Sequence, residues 1–141
     1  MSRSGYSDNI DDNWALIRYR GRVASATRGK RGQSLIRDMI AAFERMRSKS
    51  LCSHNLMSAY GEVCALGAVA QHRGIDVRGM DPRCPEAVAA MFDIAEPLAC
   101  EIVFENEDEW GWSNETGRQR FARMQRWAER NLSPTPAQGD E

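Results

Sequence analysis

The chain has 141 residues, 42% of them apolar, with 19 Lys and Arg against 20 Asp and Glu and a net charge of −1. That size supports one domain with a real core and leaves too little for a second. No apolar run approaches bilayer length, the longest lying near Val63 to Ala70, and residues 1–12 lack the apolar stretch of a signal peptide, so a soluble, intracellular protein is expected.

Residues 1–10 read as a flexible leader. Asp11 or Asp12 can cap a first helix whose apolar and small positions, Trp14, Ile17, Gly21 and Ala24, follow a three-and-four spacing and are expected to face inward. The run Arg28-Gly-Lys-Arg-Gly32 is expected to break it. A second helix starts near Gln33 or Ser34 with Leu35, Ile36, Met39, Ile40, Phe43 and Met46 on one face. Lys49 to Asn55 fits a short strand or a plain loop. A third helix is predicted from Gly61 to about Arg73, closed by Gly74 in a left-handed conformation.

Two glycines and Asp81-Pro82 make Ile75 to Arg83 a turn-rich loop. Pro85 suits the first position of a short helix carrying Val88, Met91 and Phe92, and another follows from about Ala95 to Asn106 with Pro97 in its first turn. Thr116 and Gln119 have capping-box spacing for a last helix with Phe121, Met124, Trp127 and Ala128 inward. The tail 133–141 is expected to be disordered. The pattern is an all-α domain over residues 11–132, a bundle of five or six helices with at most a minor strand near 49–55.

The densest chemical signal is charge. Arg18, Arg20, Arg22, Arg28, Lys30, Arg31 and Arg37 lie in a stretch without a single acid. Arg28, Lys30 and Arg31 adjoin a predicted helix N-terminus, where free N–H groups and the helix dipole add to the positive field, which makes the turn a candidate for a phosphate or carboxylate contact. The competing reading pairs these bases with the chain's own acidic segment, Glu101 to Glu115. Trp110 and Trp112, around Gly111, suit either a partner-docking loop or a cover over the core.

Ala89, the turn at Phe92-Asp93-Ile94 and Ile102 are spaced as in a helix-turn-helix, but the helix that would read DNA is acidic, and core packing explains the spacing. No nucleotide loop, zinc signature or nucleophile elbow is present in the sequence. Cys52, His54, Cys64 and His72 lack the spacing of a metal site, so no metal or cofactor is expected. The four cysteines, Cys84 and Cys100 included, are expected as reduced thiols, with Cys64 filling the core and His72 exposed.

Several blocks carry a resemblance: Ser2-Arg-Ser-Gly-Tyr6, Trp14 to Gly21, Val23-Ala-Ser-Ala26, Arg28-Gly-Lys-Arg-Gly-Gln33, Gly61-Glu-Val-Cys-Ala-Leu-Gly-Ala68, Arg73-Gly-Ile-Asp76, Glu105-Asn106-Glu107, and Thr116, Arg123, Met124 and Trp127. Together they resemble a family of small uncharacterised proteins of tailed bacteriophages and prophages. The block from Cys64 to Ala68 with the later Asn-acid pair is also similar to a broader domain of unknown function; residues 48–60 depart from the pattern. The resemblance implies a phage origin and the host cytoplasm, and assigns no catalytic residue. The expected function is non-enzymatic binding of a host or phage macromolecule, inhibition of an anti-phage defence complex such as a CRISPR effector being one form of it. The alternatives are nucleic-acid binding through the Arg18 to Arg37 region and a small enzyme built on Cys64. Arg28, Lys30, Arg31, Arg20, Arg22, Trp110 and Trp112 are the candidate contact residues.

Overall fold

In the computed structural model, which describes residues 13–107 and 114–134, the apolar stripes condense into helices joined by turns. The described residues hold α1 (Asn13–Arg28), α2 (Lys30–Arg45), α3 (Ala65–Arg73), α4 (Pro85–Phe92), α5 (Glu96–Glu107) and α6 (Gly117–Asn131). The architecture is all-α. Between α2 and α3 the chain is loop, and the described residues pair as strand only at one antiparallel bridge, Met57 with Val63. The leader, the capping positions Asp11 and Asp12, and residues 135–141 of the tail lie outside the described residues.

Helix α2 is the central element, packed against α1, α3 and α6. Its Leu35, Ile36, Met39 and Phe43 are buried, with Ile40 and Met46 half-buried beside them. Phe43 meets Phe121 of α6 with ring centroids 4.9 Å apart and planes tilted by 45°, a favourable aromatic geometry. Met124, Trp127 and Ala128 complete the inward face of α6, and Leu66, Val69, Val88, Phe92, Leu98 and Ile102 bring α3, α4 and α5 into the same core. Burying each of these large side chains is worth about 1.5 to 3 kcal/mol.

Local signals set most helix ends. Pro85 opens α4, Gly74 closes α3 at φ 76°, and Thr116 with Gln119 forms a reciprocal capping box at α6. Three boundaries or faces differ from the sequence expectation. First, α1 and α2 are separated by Gly29 alone, so Lys30, Arg31 and Gly32 belong to the first turn of α2. A Cβ on Gly32 would stand 2.0 Å from the Ala26 carbonyl oxygen, so the glycine serves close packing of two helices and not a chain break. Buried Gln33 locks this corner: Nε2 donates to the carbonyls of Thr27 at 2.6 Å and Asn131 at 3.0 Å, and Oε1 accepts from the N–H of Ser133 at 2.8 Å.

Second, α3 starts at Ala65 and not at Gly61. Gly61, at φ 82°, belongs to a turn, and Cys64 is the N-cap, its Sγ accepting from the N–H of Gly67 at 3.4 Å. Third, α1 is rotated from the expected inward face. Ala15, Tyr19 and Thr27 are buried, whereas Trp14 is 71% and Ile17 56% exposed. A helix offers alternative stripes, and packing against α5 and α2 selects between them. The chosen one sets small Ala15 and Ala26 at the contact and lets the Tyr19 hydroxyl reach Glu101 Oε1 at 3.3 Å and the Pro97 carbonyl at 3.4 Å. No described helix is long and apolar enough to cross a membrane.

Candidate functional site

The basic stretch runs along α1 and into α2, and the structure separates its members. Arg31 donates to Asp93 Oδ1 at 3.2 Å, across to the left-handed turn that ends α4. Arg18, Arg20, Arg28, Lys30 and Arg37 are exposed and have no ion-pair or hydrogen-bond partner among the described residues. Arg22 is also exposed on α1. Among the described acids of the 101–115 segment, Glu101 accepts from the Tyr19 hydroxyl at 3.3 Å, Glu115 receives Arg123 Nε at 2.6 Å and lies 3.5 Å from Arg120, and Glu107 holds His54; Asp108 and Glu109 lie outside the described residues.

The same α1 surface carries the two misassigned apolar residues. Helical periodicity places Trp14, Ile17, Gly21 and Arg28 along one outward face, with Arg18 on one flank and Arg20 on the other. An exposed tryptophan and isoleucine set among arginines is the composition of an interface anchor with a charged rim. Sequence reasoning placed Trp14 and Ile17 in the core because apolar spacing alone does not choose between stripes. Trp110 and Trp112, the other candidate anchors, lie outside the described residues.

A buried polar network joins two of the blocks that carry the sequence resemblance, 61–68 and 105–107, to the loop after α2. Asn106, 1% exposed, accepts the N–H of Ala65 through Oδ1 at 3.0 Å and donates through Nδ2 to the Cys52 carbonyl at 3.1 Å. Glu107 accepts the backbone N–H of His54 at 2.8 Å and faces its Nδ1 at 3.0 Å, holding that residue at φ 70°. Buried Arg120 donates to the carbonyls of Asn106 at 2.9 Å and Leu51 at 3.3 Å. Gly67, in the block from Gly61 to Ala68, would place a Cβ 1.9 Å from the Leu56 carbonyl oxygen. These residues fasten the 51–64 loop to α3, α5 and α6; their arrangement is structural.

Burial pushes the Cys64 thiol up to about 12, partly offset by its hydrogen bond from Gly67, which leaves it a poor nucleophile at neutral pH. Cys52 and Cys100 are also raised, first by burial and then by nearby carboxylates. No group of three or more His, Cys, Asp or Glu side chains is placed to hold a metal among the described residues. His72 differs from its expected exposure: it is half-buried, lining a groove of about 200 Å³ between α2 and α3, and its Nδ1 is buried without a partner among the described residues.

Compared with known proteins, the chain matches no family model, no curated protein and no solved structure.

Proposed function

We propose that this chain works by binding and not by catalysis, docking the outer face of α1 onto an acidic surface of a partner protein. The observation that carries the reading is the exposure of Trp14 (71%) and Ile17 (56%) on a helix face bordered by arginines. Desolvating Trp14 and Ile17 supplies an apolar centre, and Arg18, Arg20, Arg22, Arg28 and Lys30 supply a rim that steers an acidic partner and fixes its register. The resemblance of the sequence blocks to small phage proteins supports a host partner in the cytoplasm, with a defence complex such as a CRISPR effector as its class. The raised Cys64 thiol weighs against the enzyme alternative.

The test compares affinity capture from expressing host cells by the wild-type chain and by Trp14→Ala/Ile17→Ser, then repeats it at raised salt with purified components. The reading expects a partner of fixed stoichiometry, lost with the apolar substitution and largely retained at high salt. Capture of nucleic acid whose affinity falls steeply with salt and responds to Arg28→Glu/Lys30→Glu but not to Trp14→Ala would replace it with phosphate binding.

A further inference from the structure

A cleft of about 370 Å³ opens between the C-terminal end of α2, the following loop and the turn that precedes α3. Its volume falls within the range of small-molecule sites. Leu51, Val63 and Met46 contribute to its lining, and Arg45, Arg47, Tyr60 and Glu62 add polar and aromatic groups. Arg45 and Arg47 are exposed and make no hydrogen bond or ion pair among the described residues. The C-terminal carbonyls of a helix ordinarily disfavour an anion. Here Lys49 places its charge on two of them, its Nζ donating to the carbonyls of Phe43 at 2.5 Å and Glu44 at 3.1 Å. The two arginines beside that end are left for another acceptor.

The opposite wall is a rigid turn. Gly61 N–H donates to the Ser58 carbonyl at 3.0 Å, Ser58 N–H to the Glu62 carbonyl at 2.7 Å, and Ser58 Oγ accepts from the N–H groups of Tyr60 at 3.2 Å and Glu62 at 3.1 Å. This framework holds Tyr60, 92% exposed, at the turn's apex. The turn presents this ring to solvent at the edge of the cleft, where its faces are open to stacking by a base.

We propose that this cleft binds a nucleoside monophosphate, with Arg45 and Arg47 on the phosphate, Tyr60 stacked on the base and Glu62 accepting from the base edge. Guanidinium groups suit phosphate oxygens. A carboxylate accepts only, so the base must present adjacent N–H donors. Guanine does so through N1–H and its amino group, whereas uracil sets its one N–H between carbonyls that repel the carboxylate. The site therefore prefers GMP over UMP.

Calorimetric titration of the full chain with GMP, UMP, guanosine and inorganic phosphate tests this. GMP is expected to saturate one site, at least about tenfold tighter than UMP, guanosine or phosphate. Arg45→Ala/Arg47→Ala is expected to weaken GMP at least about tenfold, Tyr60→Ala to weaken both nucleotides, and Glu62→Gln to narrow the GMP preference. Melting curves check that each variant folds. A strand with a 5′-phosphorylated guanine binding tighter than GMP would make strand ends the source of this chemistry; one binding no tighter would make it the free nucleotide. The proposal is overturned if GMP does not saturate, if phosphate alone binds as tightly, or if the double arginine variant binds GMP normally. It is independent of the α1 docking surface, so Trp14→Ala should leave GMP binding unchanged.

Discussion

Asn106 ties the start of α3 to the end of α5: its Oδ1 accepts the N–H of Ala65 at 3.0 Å while its Nδ2 donates to the Cys52 carbonyl at 3.1 Å. A single buried amide thereby satisfies an N–H in the buried first turn of a helix and a carbonyl of the long loop.

Removing that amide leaves the buried N–H of Ala65 and the half-buried carbonyl of Cys52 without this partner. Asn106→Ala is expected to lower stability by about 2 to 4 kcal/mol, because each orphaned group costs about 1 to 3 kcal/mol. Urea denaturation read by circular dichroism measures it. A loss below about 1 kcal/mol would mean that water replaces the amide and that the network is not a fastening point.

Much of this fold was legible because helix signals are local. Pro85, Gly74, Thr116 with Gln119, and the stripes of α2 and α6 act within a few residues of themselves, and the structure uses each as the pattern indicates. What failed was decided by distant partners. Gly32 reads as punctuation until Ala26 is seen against it, and Trp14 reads as core until Tyr19 is seen reaching Glu101. The Asn106 network was marked in sequence only as a resemblance. No spacing rule connects Asn106 with Cys52 and Ala65, which lie far from it in the chain.

The glycines offer a paired test of close approach. Gly21 has nothing within 4 Å of a built Cβ, while Gly32 and Gly67 would bring theirs to 2.0 and 1.9 Å of carbonyl oxygens. Gly21→Ala is expected to stabilise the protein by about 0.4 to 1 kcal/mol through helix propensity and reduced freedom of the unfolded chain. Gly32→Ala and Gly67→Ala are expected to destabilise it by about 1 to 3 kcal/mol, since backbone must move to admit the methyl group. Opposite signs in thermal melts support the packing described for the α1–α2 corner; equal signs would contradict it.

Thiol labelling separates the cysteines by environment. Cys84 is exposed and should react first with a thiol reagent at neutral pH, whereas Cys64, buried and pushed up to about 12, should react only on unfolding. The measurement is labelling time course with peptide mapping, with and without denaturant. Fast modification of Cys64 in the native protein would return the enzyme alternative to consideration.

Acid should weaken the α6 anchor. Glu115 is held below its usual value of 4.5, first by its hydrogen bond from Arg123, with the positive charges of Arg123 and Arg120 adding to the effect against the opposing influence of burial. A carboxyl lowered in the folded state stabilises that state above its unfolded value, and the contribution is lost as pH falls through the folded value. Glu115→Gln should therefore melt below the wild type at neutral pH, and the gap should close as pH drops from about 4.5. A gap that persists unchanged into strong acid would assign the loss to shape and not to charge.

Stability and binding should respond to opposite sets of aromatic residues. Phe43 is fully buried against Phe121, so Phe43→Ala is expected to cost about 3 to 5 kcal/mol. Trp14→Ala and Ile17→Ser lie on the solvent face of α1 and should change stability by no more than about 0.5 kcal/mol. Denaturant melts decide this without knowledge of any partner. A large stability loss from Trp14→Ala would place its ring in the core and remove the anchor on which the docking surface depends. An unchanged melt, joined to loss of whatever partner the wild-type chain captures, would assign Trp14 to recognition alone.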